Sequence, residues 1–258
     1  MTDPIDCELR ESVLHIRLDR PEKLNAINDA ILDGLLSAVE EARRDAEVGA
    51  VVLSGRGRAF SAGGDIQAMQ AMNEQAFRQT ISRYMTLARA FQSLPKPIVA
   101  ALHGHVLAGG FELAVISDLR IAAEDTVLGL PDASIGLSPT SGLTWLLPRL
   151  VGLGHALQLA LTGKTISAQE ALKIGLVAKV VSAEMLIEEA HALAKAIAAC
   201  PSVGLAATKA LLYGALASDF VAATAAEEAA ELECFRDPET RQRFAAFINR
   251  KKGSSPAE

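Results

Sequence analysis

The sequence predicts an α/β fold with a parallel sheet in its N-terminal half and helices in its C-terminal part. Short β-branched runs alternate with helix-like segments up to about residue 130, as parallel βαβ crossovers require. Nearly every segment after about residue 140 has helical spacing. The 258 residues suffice for a sizeable core, because a chain of this size buries about 70–75% of its unfolded surface.

Four segments have the composition of strands. Residues 13–18 alternate in part between apolar and polar side chains, which is typical of a half-buried strand, and Pro21 follows its end. Residues 50–53 and 98–102 are continuous apolar runs, which are typical of strands buried on both faces of a parallel sheet. Residues 119–122 form the fourth predicted strand.

Apolar residues at helical spacing predict the helices. The first covers residues 28–44, with Asn28 as its N-cap, because an asparagine oxygen there accepts a hydrogen bond from a first-turn amide. The second covers residues 77–94 and ends before Pro95, since proline disfavours helical geometry in the residue before it. Further helical segments are residues 111–116, 157–161, 168–173, 183–199, 202–216, 222–235 and 240–249.

Composition and charge exclude several classes of protein. Hydrophobic residues make up 50% and charged residues 22%, which is a globular composition. The net charge of −6 disfavours a surface that neutralises nucleic-acid phosphates, and 4% aromatic residues leave few side chains to stack on bases. We therefore expect no nucleic-acid partner.

The cysteines and the N-terminus predict the compartment. Cys7, Cys200 and Cys234 are odd in number and far apart, so they indicate neither a disulfide framework nor metal-ligand spacing. Residues 1–12 are acidic and lack the apolar stretch of a secretory signal. The apolar runs are too short to span a bilayer. We expect a cytoplasmic protein without a metal ion or a membrane partner.

Two glycine-rich segments are candidates for a functional site. Residues 59–66 and residues 103–113 each follow a strand and precede a helical segment. Loops after parallel strands meet at one edge of the sheet, and glycine lets a ligand approach the backbone closely. Two helix N-termini there would offer two unpaired amides to one developing oxyanion. The alternative is that these glycines only serve turns and close helix packing.

Two carboxylates lie in apolar surroundings. Glu112 is flanked by apolar residues, and Asp132 follows residues 128–131, which are also apolar apart from a glycine. Burial raises the pKa of a carboxyl group toward the range that acid–base catalysis uses. The alternative for Asp132 is that it caps the start of a helix.

Other motifs do not support a site. Residues 55–57 begin a dinucleotide fingerprint, but Phe60 occupies its third glycine position. His103 and His105 lack a third metal ligand nearby, so we expect them to pack or to form hydrogen bonds. Ser61 lacks the glycine frame of a nucleophile elbow.

These motifs together resemble the crotonase superfamily, also called the enoyl-CoA hydratase/isomerase family. The resemblance implies a β-β-α spiral core over residues 1–195. It also implies a helical C-terminal region over residues 196–258, with a flexible tail from residue 253, that forms trimers or dimers of trimers. The matching segments are Asp19-Arg20-Pro21 with Asn25-Ala26, residues 59–66, 96–118, 135–152 and 162–164, and Ala168-x-x-Ala171-x-x-x-Gly175-Leu176-Val177.

The resemblance implies a site for an acyl-CoA thioester. The amides of Gly64 and Gly109 match the oxyanion hole of the family. Glu112 and Asp132 match the two catalytic carboxylates that hold water in its hydratases, although aspartate reaches about 1.5 Å less far than the usual glutamate. CoA is part of the substrate, and no further cofactor is implied. The residues that match the substrate- and CoA-binding region are Leu24, Ala26, Ala62, Gly64, Asp65, Ile66, Gln67 and Gly109.

The implied reaction is the reversible syn addition of water to a 2-trans-enoyl-CoA. The alternatives are an enoyl-CoA isomerase, which moves the double bond with one carboxylate, and an acyl-CoA-binding protein without catalysis. Thr140 occupies a position that carries the catalytic carboxylate in some isomerases, which counts against that type. Phe247 and nearby basic residues resemble an element that approaches the adenine end of CoA, commonly from a neighbouring subunit.

Overall fold

The computed structural model describes residues Pro4–Gly253 of the chain and the side chains of residues 4–249. These residues fall into two compact units, one up to Ala198 and one from Ala199 onward. The tail predicted from residue 253 lies outside the described residues, apart from Gly253 at the end of the last helix. The boundary at residue 195 and the oligomerising role of the residues after it remain predictions.

The first unit contains two β-sheets. The larger sheet has the strand order β1-β2-β3-β5-β7-β10, in which β1 is antiparallel to β2 and all other neighbours are parallel. In the smaller sheet, β4, β6 and β8 are parallel and β9 is antiparallel to β8. The strands are β1 (Ile5–Arg10), β2 (Val13–Leu18), β3 (Ala50–Gly55), β4 (Ala59–Ser61), β5 (Ile98–Leu102), β6 (His105–Leu107), β7 (Leu119–Ala123), β8 (Val127–Gly129), β9 (Ile166–Ser167) and β10 (Lys179–Val181).

Eight helices of the first unit surround these sheets, and three more form the second unit, counted over the described residues. No single helix among them is long and apolar enough to cross a membrane; one bent pair of successive helices passes that test by length and composition only. The helices are α1 (Asp29–Arg44), α2 (Ile66–Gln70), α3 (Glu74–Ser93), α4 (Gly109–Ile116), α5 (Leu143–Val151), α6 (Leu153–Thr162), α7 (Ala168–Lys173), α8 (Leu186–Ala198), α9 (Ser202–Ala215), α10 (Phe220–Arg236) and α11 (Pro238–Gly253).

The larger sheet is buried on both faces, as its apolar strands predict. Val51 and Leu53 belong to the same core cluster as the buried residues of α1 and α3, whereas Val52 belongs to a second cluster with Ala190 and Ala194 of α8. Successive side chains of a strand point to opposite faces, so each strand supplies both clusters. This is why β3 and β5 read as continuous apolar runs.

The four predicted strands and the first two predicted helices are present in the structure. Asn28 caps α1 as predicted, because its side chain accepts a hydrogen bond from the amide of Ile31 at 3.0 Å. The sequence prediction missed β1 and β10 of the larger sheet and the short strands of the smaller sheet. It also began α4 at residue 111, whereas the helix starts at Gly109.

Candidate active site

A network of buried polar groups holds the first glycine-rich segment. Asn25 is fully buried, and its side-chain amide donates hydrogen bonds to the carbonyls of Arg56 and Ala59 at 2.9 and 2.7 Å. The Ser61 hydroxyl donates to the Asn25 carbonyl at 2.9 Å and accepts from the Gly63 amide at 3.2 Å. Asn25 therefore fixes the backbone of the segment that leads to Gly64.

The amide of Gly64 is left unpaired by the bridge that positions it. Gly64 lies opposite Ile27 in an isolated parallel bridge. In this bridge the Ile27 amide donates to the Gly63 carbonyl at 2.7 Å, and the Asp65 amide donates to the Ile27 carbonyl at 2.8 Å. The hydrogen bonds of this bridge therefore involve Gly63 and Asp65, the residues on either side of Gly64. Within residues 4–253, no group accepts a hydrogen bond from the Gly64 amide.

Asp65 has a structural role next to this amide. It is the N-cap of α2, where its side chain accepts from the Ala68 amide at 3.2 Å. It also forms a half-buried ion pair with Arg20 at 3.2 Å, and the same guanidinium donates to the Ala26 carbonyl at 2.6 Å. These contacts join the Asp-Arg-Pro motif to the start of α2.

The second glycine-rich segment turns from strand to helix at one residue. Ala108 has φ of 47° and ψ of −121°, a strained backbone conformation for an alanine. Its amide donates to the Gly129 carbonyl at 3.0 Å, and its carbonyl accepts from the Glu112 amide at 3.0 Å, so it joins β6 directly to α4. Gly109 is then the first residue of α4, and no described residue accepts a hydrogen bond from its amide.

One cavity of about 160 Å³ joins the two segments. Gly64, Gly109, Glu112 and Asp132 all line it. Of the other residues predicted to bind the substrate, Ala62 and Ile66 line this cavity, whereas Leu24, Ala26, Asp65 and Gln67 do not. The apolar part of the wall is formed by Met69, Phe77, Ile81, Pro131, Ile135 and Leu137.

Glu112 is buried, and both oxygens of its carboxylate accept hydrogen bonds. One oxygen accepts from the Thr140 amide at 2.5 Å, and the other accepts from the Thr140 hydroxyl at 2.6 Å and the Ser141 hydroxyl at 2.8 Å. Burial raises the pKa of Glu112, while these hydrogen bonds oppose the rise. Sequence reasoning treated Thr140 only as a missing carboxylate, but the structure shows that it positions Glu112.

Asp132 is the less restrained of the two carboxylates. It lies in the 3₁₀ turn Pro131–Ile135, which has no capping side chain, so the expected alternative of a helix cap is not observed. Its Oδ2 atom is buried and has no hydrogen-bond partner in the described part of the chain. Burial raises the pKa of Asp132, and the negative charge of Asp132 adds to the rise at Glu112. The charge of Asp132 therefore favours the protonated form of Glu112.

Sequence reasoning missed Tyr84, which also lines the cavity. Tyr84 follows Phe77 and Ile81 on one face of α3, a spacing that is equally typical of core residues. Its hydroxyl oxygen is buried without a hydrogen-bond partner among residues 4–249. Burial raises the pKa of this hydroxyl above its ordinary value, and the charges of Glu112 and Asp132 add to the rise.

Two unpaired amides and two carboxylates around one cavity are the groups of an enzyme that stabilises an oxyanion and moves a proton. The family model described as Enoyl-CoA hydratase/isomerase matches residues 8–254. The chain belongs to the enoyl-CoA hydratase/isomerase family, as its motifs predict.

Relatives and solved structures agree with this assignment. The chain is 36% identical over 246 residues to a short-chain-enoyl-CoA hydratase of Clostridium acetobutylicum, covering 95% of this chain and 94% of that protein. It is 34% identical over 248 residues to a crotonyl-CoA hydratase of Syntrophomonas wolfei, covering 96% and 95%. The crystal structure of an enoyl-CoA hydratase from Bacillus anthracis matches with a TM-score of 0.93 at 32% identity, over 96% of each chain. The predicted fold class is confirmed.

Proposed function

We propose that this protein is an enoyl-CoA hydratase, which adds water reversibly and in syn geometry to a 2-trans-enoyl-CoA. The observation that carries the proposal is that the cavity is lined by both unpaired amides and both carboxylates. The names of the relatives support it, since they include short-chain-enoyl-CoA and crotonyl-CoA hydratases.

In the proposed reaction, the thioester oxygen accepts hydrogen bonds from the amides of Gly64 and Gly109. A water molecule held by Glu112 and Asp132 forms a bond from its oxygen to C3 and gives one proton to a carboxylate. The electron pair of the C2–C3 double bond moves toward the thioester, and negative charge collects on its oxygen. The enolate then takes a proton at C2 from the carboxyl group, which restores the carboxylate and completes the addition of water.

The amides matter because they donate to the oxygen at which the charge develops. They are fixed before the substrate binds, by the bridge at Ile27 and by the turn at Ala108. Loss of one such donor typically costs about 10²–10³ in rate. The proposed chemistry uses groups of the chain and the CoA that the substrate brings, so we propose no further cofactor.

Incubation with two substrates tests the proposal. The purified protein is expected to remove the conjugated thioester absorbance of crotonyl-CoA, because water saturates the 2,3 double bond. With a 3-enoyl-CoA, a gain of that absorbance would identify an isomerase. Activity with only the 3-enoyl compound would contradict the proposal, and tight binding of acyl-CoA esters without turnover would favour a non-catalytic binding protein.

We further propose that copies of this chain form trimers or dimers of trimers. The support is the exposed apolar surface of α6, where Leu153, Leu157 and Leu161 follow one another at four-residue spacing. Their exposures of 65%, 46% and 71% are large for leucines that share one face of a helix. Within the second unit, Phe220 and Val221 are still more exposed.

The contact of the C-terminal helix with CoA also remains a proposal. Phe247 is exposed on α11, which is compatible with a contact to the adenine end of CoA in a neighbouring copy. The basic side chains at 250–252 lie outside the described side chains. As the compartment we propose the cytoplasm, on the basis of the three widely spaced cysteines.

A further inference from the structure

Two buried side-chain oxygens in the described part of the chain have no hydrogen-bond partner, and both belong to residues that line the cavity. One is Oδ2 of Asp132, which the proposed reaction uses. The other is the hydroxyl oxygen of Tyr84, which that reaction does not use. A buried polar atom without a hydrogen-bond partner lowers the stability of the folded protein. Because this atom lies in a cavity, its position points to a ligand that supplies the missing hydrogen bond.

The Tyr84 hydroxyl lies beside both glycines whose amides are unpaired. Its oxygen is 2.9 Å from the position that a Cβ atom on Gly109 would occupy, and 3.8 Å from the corresponding position on Gly64. A Cβ atom lies about 2.5 Å from the nitrogen of its own residue, so the hydroxyl oxygen is within about 5.4 Å of the Gly109 nitrogen.

This separation allows one acceptor to bind both groups. An oxygen that accepts from an amide and from a hydroxyl lies about 2.9 Å from the first and about 2.8 Å from the second. At helical dihedral angles the N–H bond and the Cβ direction lie on the same side of the backbone, so the Gly109 amide and the Tyr84 hydroxyl share that side.

We propose that the Tyr84 hydroxyl donates a third hydrogen bond to the thioester oxygen of the substrate, beside the amides of Gly64 and Gly109. This inference rests on the proposed function and adds a catalytic residue to it. The hydroxyl is suited to donate rather than to act as a base, because burial and the nearby carboxylates raise its pKa and keep it protonated. Its bond strengthens as the thioester oxygen gains charge in the transition state.

The helix that carries Tyr84 is anchored, so the hydroxyl is held in place before the substrate binds. The Thr80 hydroxyl donates to the Asp29 carboxylate of α1 at 2.8 Å, and Arg83 forms an ion pair with Asp33 of the same helix at 2.8 Å. The Tyr84 ring itself belongs to the main hydrophobic core. A Cβ atom at position 109 would lie 2.9 Å from the Tyr84 hydroxyl oxygen, so a larger residue there would displace the hydroxyl.

The substitution Tyr84→Phe tests this inference, because it removes the hydroxyl and keeps the buried ring. With crotonyl-CoA, kcat is expected to fall about ten- to hundredfold with KM changed less than about threefold, since the missing bond acts mainly in the transition state. Tyr213→Phe removes the hydroxyl of the only other tyrosine in the chain and serves as the matched control, with kcat unchanged. Thermal unfolding of both variants checks that they fold.

A binding measurement gives a second readout that does not need turnover. Acetoacetyl-CoA can bind as an enolate, whose charge lies on the oxygens, whereas butyryl-CoA cannot mimic this charge. Tyr84→Phe is expected to weaken the enolate absorbance of bound acetoacetyl-CoA and to leave the dissociation constant of butyryl-CoA within about twofold of wild type.

Three results with Tyr84→Phe would overturn the inference: an unchanged kcat, an equal loss of affinity for acetoacetyl-CoA and butyryl-CoA, or a raised KM with kcat unchanged. The last result would mean that the hydroxyl contacts the acyl chain and not the thioester oxygen. Failure of the wild-type protein to hydrate crotonyl-CoA would instead count against the proposed function. In that case the two binding measurements still decide whether Tyr84 contacts the thioester oxygen.

Discussion

At the scale of single residues, the site depends on what Thr140 and Ser141 do to Glu112. Three donors converge on this carboxylate, whereas Asp132 keeps one buried oxygen without a partner in the described chain. Hydrogen bonds to the ionised form favour the charged state and fix its orientation. Glu112 is therefore the rigid member of the pair, and Asp132 is the one with an open acceptor atom.

The variant Glu112→Gln tests the catalytic role of this carboxylate. We expect hydration of crotonyl-CoA to fall by at least about 10²-fold, because the amide can neither accept a proton nor keep the same set of hydrogen bonds. The dissociation constant of butyryl-CoA is expected to stay within a few-fold, since the glycine amides are unchanged. Steady-state kinetics and calorimetric titration measure the two quantities, and retained turnover would contradict the role.

The substitution Asp132→Glu tests how the length of this side chain affects hydration. If the short side chain limits hydration, Asp132→Glu raises turnover on crotonyl-CoA; if the site is built around aspartate, the same change abolishes it. We expect the second outcome, because a longer side chain at position 132 would extend into the cavity that the proposed substrate occupies. A variant faster than wild type would contradict this expectation.

At the scale of elements, a chain of polar groups joins β2 to α8. Nε2 of His15 lies 3.0 Å from Nδ1 of His191, whose Nε2 lies 3.0 Å from the carboxylate of Glu11. Hydrogen bonds from Lys195 and His191 lower the pKa of Glu11 to about 2, so this carboxylate stays charged. Burial lowers the pKa of His15, and this histidine is therefore held neutral between the strand and the helix.

This arrangement predicts a pH dependence of stability. The unfolded chain protonates His15 near pH 6.5 and the folded chain only at lower pH, so the unfolded state binds more protons as the pH falls below 6.5. The free energy of unfolding is expected to decrease from pH 7 to pH 5, with His15 contributing at most about 1.4 kcal/mol per pH unit. Denaturant titrations at each pH measure it.

His15→Leu removes this titration and should make the free energy of unfolding less dependent on pH between 7 and 5. The variant is also expected to be less stable at pH 8, because Nδ1 of His191 loses its neighbour. His105→Asn replaces an exposed histidine and should leave the pH dependence as it is in the wild type. Equal slopes for wild type and His15→Leu would contradict the expected role of burial.

The elements also show how far sequence reasoning reached. The two-faced strands and the Asn28 cap were predictable, because their signals lie within one segment. Strands of three residues such as β4 and β6 have no measurable periodicity, and they were missed. Ala108 gives no sign of its strained backbone, since residue type suggests positive φ mainly at glycine and asparagine.

The site was predictable only in part for a similar reason. Glu112 stands out because a carboxylate in an apolar segment is rare. Tyr84 has the spacing of an ordinary core residue, so nothing along the chain distinguishes its hydroxyl. The bond from Thr140 to Glu112 joins residues 28 positions apart, and such a contact is visible only in three dimensions.

At the scale of the whole molecule, the proposed assembly predicts a particle of at least three chains of 27.2 kDa each. Light scattering of the wild-type protein measures this mass, and a monomer would contradict the proposal. Leu157→Lys places a charge in the exposed row on α6 and is expected to shift the particle toward smaller masses. Gln75→Lys adds the same charge at an exposed position of α3 and should leave the mass unchanged.

The hydrogen bonds from Thr140 to Glu112 limit which other catalytic groups this site could accommodate. A carboxylate introduced at position 140 would meet the Glu112 oxygen that the Thr140 hydroxyl now approaches to 2.6 Å. Two acids at that separation repel unless they share a proton. A single Thr140→Glu substitution therefore places a second acid against Glu112, and a change at position 112 would be needed with it to relieve the repulsion.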